Sequence, residues 1–242
     1  MRGPARCCHE PAVLVIEDPT MLVAGHSRHG ARDQGERKQI MKAPFEPVTT
    51  NLAYDEAAAL FDDHVKDPGI RMHCRASEQI MRGLARHFGQ DEAQWGILGL
   101  LHDVDFDKTK DDPVNHCVLA RKIWQDAGVS NEAIEIMGSH AWGTGCGGGK
   151  VEEKKRTRAI EHALVASETI TGLIHAAALM NPEKKLANVK VKSIKKKYKS
   201  KAFARNCNRE FIAEIENVGL PLEEFFGIAI KAMQEISDEL GL

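Results

Sequence analysis

From about residue 52 onward, apolar residues recur at three- and four-residue intervals, the spacing of one helix face. Segment 52–66 places Ala57, Leu60, Phe61 and Val65 on one side. Segment 71–88 repeats Ser77, Ile80, Leu84 and Phe88, and Gly89 fits a C-terminal stop. Asp91 can cap a helix holding Trp95, Leu98 and Leu101. Asp112-Pro113 reads as an N-cap followed by a first-turn proline, with Gly128 ending that helix. Ser130 caps the next, which carries Ile134 and Met137. A glycine-rich loop from Gly143 to Gly149 precedes a long helical stretch over roughly 152–180, which stops before Pro182. A lysine-rich helix near 184–202 and one or two more between 208 and 241 complete the pattern. No strand pair and no internal repeat emerges, so the predicted fold class is all-α.

The first 40 residues break the period. They mix Arg, Gly, His and Pro, and the stretch after Met41 (Lys-Ala-Pro-Phe-Glu-Pro) reads as a linker. The expected organisation is a disordered extension over 1–41, or an upstream mis-assigned start, and a helical domain over 42–242. Cys7-Cys8-His9 lacks a second ligand pair at zinc-site spacing, so it reads as part of a reactive tail.

Composition narrows the function classes. A length of 242 residues supports one good core. A formal net charge of −2 gives no overall excess for holding a polynucleotide. No apolar run approaches the ~20 residues that span a bilayer, so no membrane partner is expected. Ala12–Ile16 is short for a secretory leader core. Six cysteines without a C-x-x-C pair read as free thiols in a reducing cytoplasm.

The chemistry-bearing residues fall on the apolar faces. His102-Asp103 closes the run Trp95-Gly-Ile-Leu-Gly-Leu-Leu101. His102 follows Leu98 by four residues and Trp95 by seven, so it points inward. His73 shares the face of Ser77, Ile80, Leu84 and Phe88. His116 leads Leu119 and Ile123, His140 trails Ala133 and Met137, and Glu168 trails Ile160 and Leu164. One histidine on an apolar face is ordinarily a satisfied core residue; five independent segments each presenting such a group is different. Burying several imidazoles and two carboxylates uncompensated costs several kcal/mol each, and a metal ion removes that cost. Imidazole with carboxylate suits Mn, Fe, Co, Ni or Zn better than Ca.

The ordered set His73, His102-Asp103, His116, His140 and acidic 168, separated by 29, 13, 24 and 28 residues, resembles the HD-domain superfamily of metal-dependent phosphohydrolases. The stretches LLHDVDFDKTKDDPVNH, ETITGLIHAAALM and VKVKSIKKKYKSKAFARNCNRE look like a small subfamily of uncharacterised HD hydrolases. The resemblance covers residue 52 to the end and implies an HD-type helical bundle. It implies that His73, His102 and Asp103 form a first metal site, with Asp103 as a bridge that also orients a water. His116 and His140 match second-metal or phosphate-contacting histidines. Glu168 stands where the family usually has aspartate, and Ala-Trp-Gly follows His140 where some two-metal members have a second histidine. One or two divalent ions are both open, with Mg added to the metals above. Lys108 matches a lysine that contacts phosphate in relatives, and is equally a solvated loop lysine. Asp105 and Asp107 read as surface charges, Asp105 the better placed for a supporting contact.

The implied activity is hydrolysis of a phosphomonoester or phosphodiester, a nucleotide among the candidates, through a metal-activated water. Two alternatives stand beside it: a di-iron oxygenase on the same scaffold, and a degenerate ligand-binding protein. Gly143 to Gly148 formally fits G-x-G-x-x-G, but it follows a helix and lacks dinucleotide-binding context. Nine basic residues and no acidic one lie between Lys190 and Arg209, a solvated face or a rim that attracts phosphate. A small phosphorylated substrate is favoured there over nucleic acid. His175 shares the stripe of Glu168 as a supporting or core residue.

Overall fold

Two helices of this chain touch backbone to backbone at one point, and glycine is the reason. The structure, a computed structural model, describes residues 45–147 and 154–242. The expected extension over 1–41 lies outside the described residues, as does the glycine-rich loop from Gly148 on. Helix α2 (Pro68–Phe88) starts where the Asp67 carboxylate accepts the Gly69 and Ile70 N–H groups at 2.8 and 3.2 Å, with Pro68 in the first turn. It ends at Gly89, whose φ of 67° is left-handed. Helix α3 (Glu92–Leu101) is capped by Asp91, which accepts the Gln94 N–H at 2.9 Å. A Cβ placed on Gly99 would lie 2.7 Å from the Ser77 carbonyl oxygen of α2 and 2.8 Å from the Glu78 nitrogen. The bare backbone at Gly99 lets α3 rest directly on α2.

Around this pair stand α1 (Tyr54–His64), α4 (Phe106–Thr109), α5 (Val118–Asp126) and α6 (Asn131–Gly138). A 3-10 turn, Ser139–Ala141, follows. Then come α7 (Ala159–Leu179), α8 (Val191–Lys199), α9 (Arg209–Ala213) and α10 (Leu222–Glu235). The described residues are helical with no strand, the expected all-α class. Helix α2 packs against α3, α7 and α10, and α7 against α9 and the 3-10 turn Glu214–Val218. The core between them is mainly aliphatic, with Trp95, Trp124, Phe225 and Phe226 fully buried. No helix among the described residues is long and apolar enough to cross a membrane.

Three boundaries differ from those read in the sequence. Asp112-Pro113 does not start α5; the helix begins at Val118, after Cys117 in a left-handed conformation at φ 63°. The cap comes from elsewhere in the chain: Asp105 Oδ2 accepts the N–H groups of Cys117 and Ala120, each at 2.9 Å. Helix α7 begins at Ala159, because Glu161 Oε2 accepts the Thr157 and Arg158 N–H groups at 2.9 and 3.1 Å and halts the helix there. The lysine-rich stretch is a 3-10 turn, Leu186–Asn188, and then α8, with Ile194 buried and the lysines turned outward.

The α2–α3 contact yields a direct prediction. Gly99→Ala should lower stability by about 1–3 kcal/mol, the usual cost of overpacking a filled interface. Chemical denaturation measures it, and an unchanged midpoint would mean that the two helices separate freely.

Candidate metal centre

Packing α2, α3 and α7 together brings His73, His102 and Glu168 to one point, and the segments around α4, α5 and α6 add Asp103, His116 and His140. All six predicted ligands belong to one cluster. His102 caps the C-terminal end of α3, where helix carbonyls lack intrahelical partners. Its Nδ1 donates to Gly99 O at 2.8 Å, and Trp124 Nε1 donates to Leu101 O at 3.1 Å. Those two contacts hold the end of α3 and aim the His102 ring.

The other three imidazoles are oriented in the same manner. His140 Nδ1 donates to Met137 O at 2.6 Å. Thr171 Oγ1 gives its proton to Glu168 O at 2.6 Å, so it accepts from His73 Nδ1 at 2.9 Å. Asp105 Oδ1 accepts from His116 Nδ1 at 3.0 Å. The acceptors assign the tautomers, since carbonyl and carboxylate oxygens hold no proton to give. Each ring therefore turns Nε2 toward the interior.

The four Nε2 atoms meet in pairs around Asp103. His73 and His102 Nε2 are 3.1 Å apart, and Asp103 Oδ2 lies 3.6 and 3.5 Å from them. His116 and His140 Nε2 are 3.2 Å apart, and Asp103 Oδ1 lies 3.4 and 3.1 Å from them. Glu168 Oε2 joins the first pair, 4.0 Å from His73 Nε2. Two imidazole nitrogens at such distances, both with Nδ1–H engaged elsewhere, turn lone pair on lone pair unless a proton or a cation lies between them. The donor set fits a metal ion: imidazole nitrogen and carboxylate oxygen, rings fixed by their far nitrogens, and a carboxylate facing both pairs.

Burial is graded across the cluster. The side chains of His102, Asp103 and His140 are 0% exposed and His116 is 1%, whereas His73 is 16% exposed and Glu168 5%. His73 is the most exposed of the six, so the side of the cluster formed by His73 and Glu168 lies nearest the surface.

Two contributors, Thr171 and Cys117, went unseen in the sequence, and a third, Asp105, was read as a surface charge better placed than Asp107 for a supporting contact. Asp105 is fully buried, against the expectation of a surface charge, and serves both His116 and the start of α5. Thr171 orients His73. Cys117 is buried, with Sγ 3.9 Å from His140 Nε2, and adds a sulfur to the inner pair. Its adjacency to His116 was the one available signal. Asp107 is half-buried and accepts the Lys66 and Asp67 N–H groups at 2.7 and 2.9 Å. Lys108 is exposed, with Nζ 3.3 Å from His64 Nδ1, and the fold does not bring it into the cluster. His175 is half-buried, and burial lowers its pKa.

Burial opposes charge on His116 and His140, but the Cys117 sulfur and the Asp103 carboxylate, with Asp105 at His116, outweigh it; both rings hold a proton well above the ordinary imidazole range. Burial pushes the Cys117 thiol up, and these two imidazoles bring it below its usual value. Among the described residues, Cys74, Cys117, Cys146 and Cys207 are unbridged thiols.

Comparison of the chain with protein-family models, with curated proteins and with solved structures finds no match.

The raised imidazoles set the sign of a pH effect. A metal ion must displace protons from His116 and His140, so affinity should fall as pH falls from 8 to 6, by about tenfold per pH unit for each proton displaced. Equilibrium dialysis at several pH values checks this, with proton release into weak buffer as the paired signal. A pH-independent affinity would contradict it.

Proposed function

We propose that this chain is a metal-dependent phosphohydrolase, with two divalent ions flanking Asp103 and a phosphate ester as substrate. The carrying observation is the pairwise approach of four tautomer-fixed histidines to one carboxylate. His73, His102, Asp103 and Glu168 would hold one ion; His116, His140 and Asp103 the other, with Cys117 beside them. A bound divalent ion supplies a Lewis acid for a phosphoryl oxygen and lowers the pKa of a water to ~7.

The chain's own residues supply the rest. Asp103 presents one oxygen to each histidine pair and so fixes their spacing. Thr171, Gly99, Asp105 and Met137 hold the rings from behind, so no reorientation is needed when substrate arrives. The His116–His140 half is buried, so substrate would approach from the His73 and Glu168 edge, where His73 is the most exposed ligand.

A basic loop stands next to that edge and supports a phosphorylated substrate. Cys207 packs against Gly172 of α7, one helical turn beyond Glu168. The Arg209 guanidinium donates to the carbonyls of Tyr198, Ser200, Phe203, Ala204 and Cys207, which fixes the loop. Lys201 and Arg205 are exposed on it, and Lys199 is exposed at the end of α8 just before it. The net charge of −2 for the whole chain favours a small phosphorylated molecule, a nucleotide among them, over a polymer.

The test is turnover of a panel of aryl phosphates and nucleotides with Mn, Fe, Co, Ni, Zn or Mg added. Hydrolysis should depend on metal, and Asp103→Asn should lower it by about 1,000-fold or more, since metal charge stabilisation is worth several kcal/mol. Equal turnover by Asp103→Asn would sink the reading. Oxygen consumption by the iron-loaded chain, without ester hydrolysis, would move the same cluster to oxygenase chemistry.

A further inference from the structure

Outside the cluster, one buried cation holds the weakest of its supports. His73 lies within the 21-residue α2, His102 caps the end of α3, and His116 is tied to Asp105. His140 instead sits in the middle of the three-residue 3-10 turn Ser139–Ala141. The backbone after it carries left-handed glycines at 143, 145 and 147, so nothing regular continues the turn.

Arg156 grips that turn. Its side chain is 7% exposed. Nη1 donates to Ser139 O at 2.7 Å and to Trp142 O at 3.0 Å, the carbonyls on either side of His140. The other edge of the guanidinium is held by Glu214, with Nε to Oε2 at 2.7 Å and Nη2 to Oε1 at 2.8 Å. Glu214 Oε2 also meets His162 Nδ1 at 2.6 Å, and the Phe211 ring lies 4.8 Å from the Arg156 guanidinium carbon. The planar fork is thus fixed on one side by a carboxylate and an aromatic face, and reaches two carbonyls on the other. A lysine ammonium cannot reproduce that geometry.

We propose that Arg156 is a positioning residue for His140: it sets the 139–142 turn so that His140 Nε2 meets His116 Nε2 and Asp103 Oδ1, and so governs the affinity of the inner half of the centre for its metal ion. This rests on the two-ion reading above. It assigns the Arg156–Glu214–His162 network, which spans α7 and the segments beside it, to the inner half alone.

The experiment titrates the metal-free full chain with Mn(II) and, separately, Co(II), and resolves the two binding steps for the wild type, Arg156→Ala, Arg156→Lys and Glu214→Gln. In Arg156→Ala, one step should stay within about twofold of wild type. The other should weaken about 10–100-fold, the usual effect of losing a group that orients a ligand. Arg156→Lys should fall between. Amide exchange at residues 139–142 in the metal-free chain should speed up in Arg156→Ala, a readout that needs no metal. If Arg156→Ala does not fold, Arg156→Lys and Glu214→Gln carry the same comparison. Equal weakening of both steps, or two unaltered steps, would overturn this inference while the metal reading stands. No metal uptake by the wild type would overturn both.

Discussion

The contact on which the cluster depends is one carboxylate facing two pairs of imidazole nitrogens. Asp103 is fully buried, yet its oxygens lie 3.1–3.6 Å from four Nε2 atoms. Burying a carboxylate among imidazoles is costly, several kcal/mol, unless its charge is compensated. Proton sharing compensates part of it, and the raised imidazoles of His116 and His140 are its trace. A divalent cation compensates more completely, because each lone pair becomes a bond.

The helical frame is arranged around this constraint. Gly99 brings α3 against α2, and its carbonyl also orients His102. Thr171 spends its proton on Glu168 O and leaves its lone pair to His73, so α7 positions an α2 residue through one hydroxyl. Asp105 starts α5 and orients His116 with the same carboxylate. Each of these groups performs a structural task and a site task at once. A substitution at any of them would therefore disturb fold and centre together, which separates them from the exposed cations of the 199–205 segment.

Much of this was legible in the sequence, and the unread parts share a cause. Helical periodicity gave α2, α3 and α6 with their caps at Asp91 and Ser130, because those caps are local. The start of α5 was misread at Asp112 because its actual cap, Asp105, acts across the chain. Inward faces identified His73, His102, His116, His140 and Glu168, since periodicity reports which side of a helix is buried. It cannot report what stands behind a ring, so Thr171 was missed, and Asp105, singled out for a supporting contact, was still expected at the surface. Cys117 escaped because its position depends on a left-handed residue before α5 that no spacing rule predicts. Arg156 escaped for the opposite reason: within Lys154-Lys155-Arg156 it reads as one more solvated cation, and only the fold shows it buried against Glu214.

The proposed pair of ions is what distinguishes a hydrolytic centre from a buried proton-sharing cluster of the same shape. Anomalous diffraction from crystals of the chain grown with Mn(II) decides between them. Two peaks are predicted against Asp103, one beside His73 and His102 and one beside His116 and His140. No anomalous density at Asp103, with the four histidines ordered as described, would contradict the metal centre and the hydrolytic chemistry built on it.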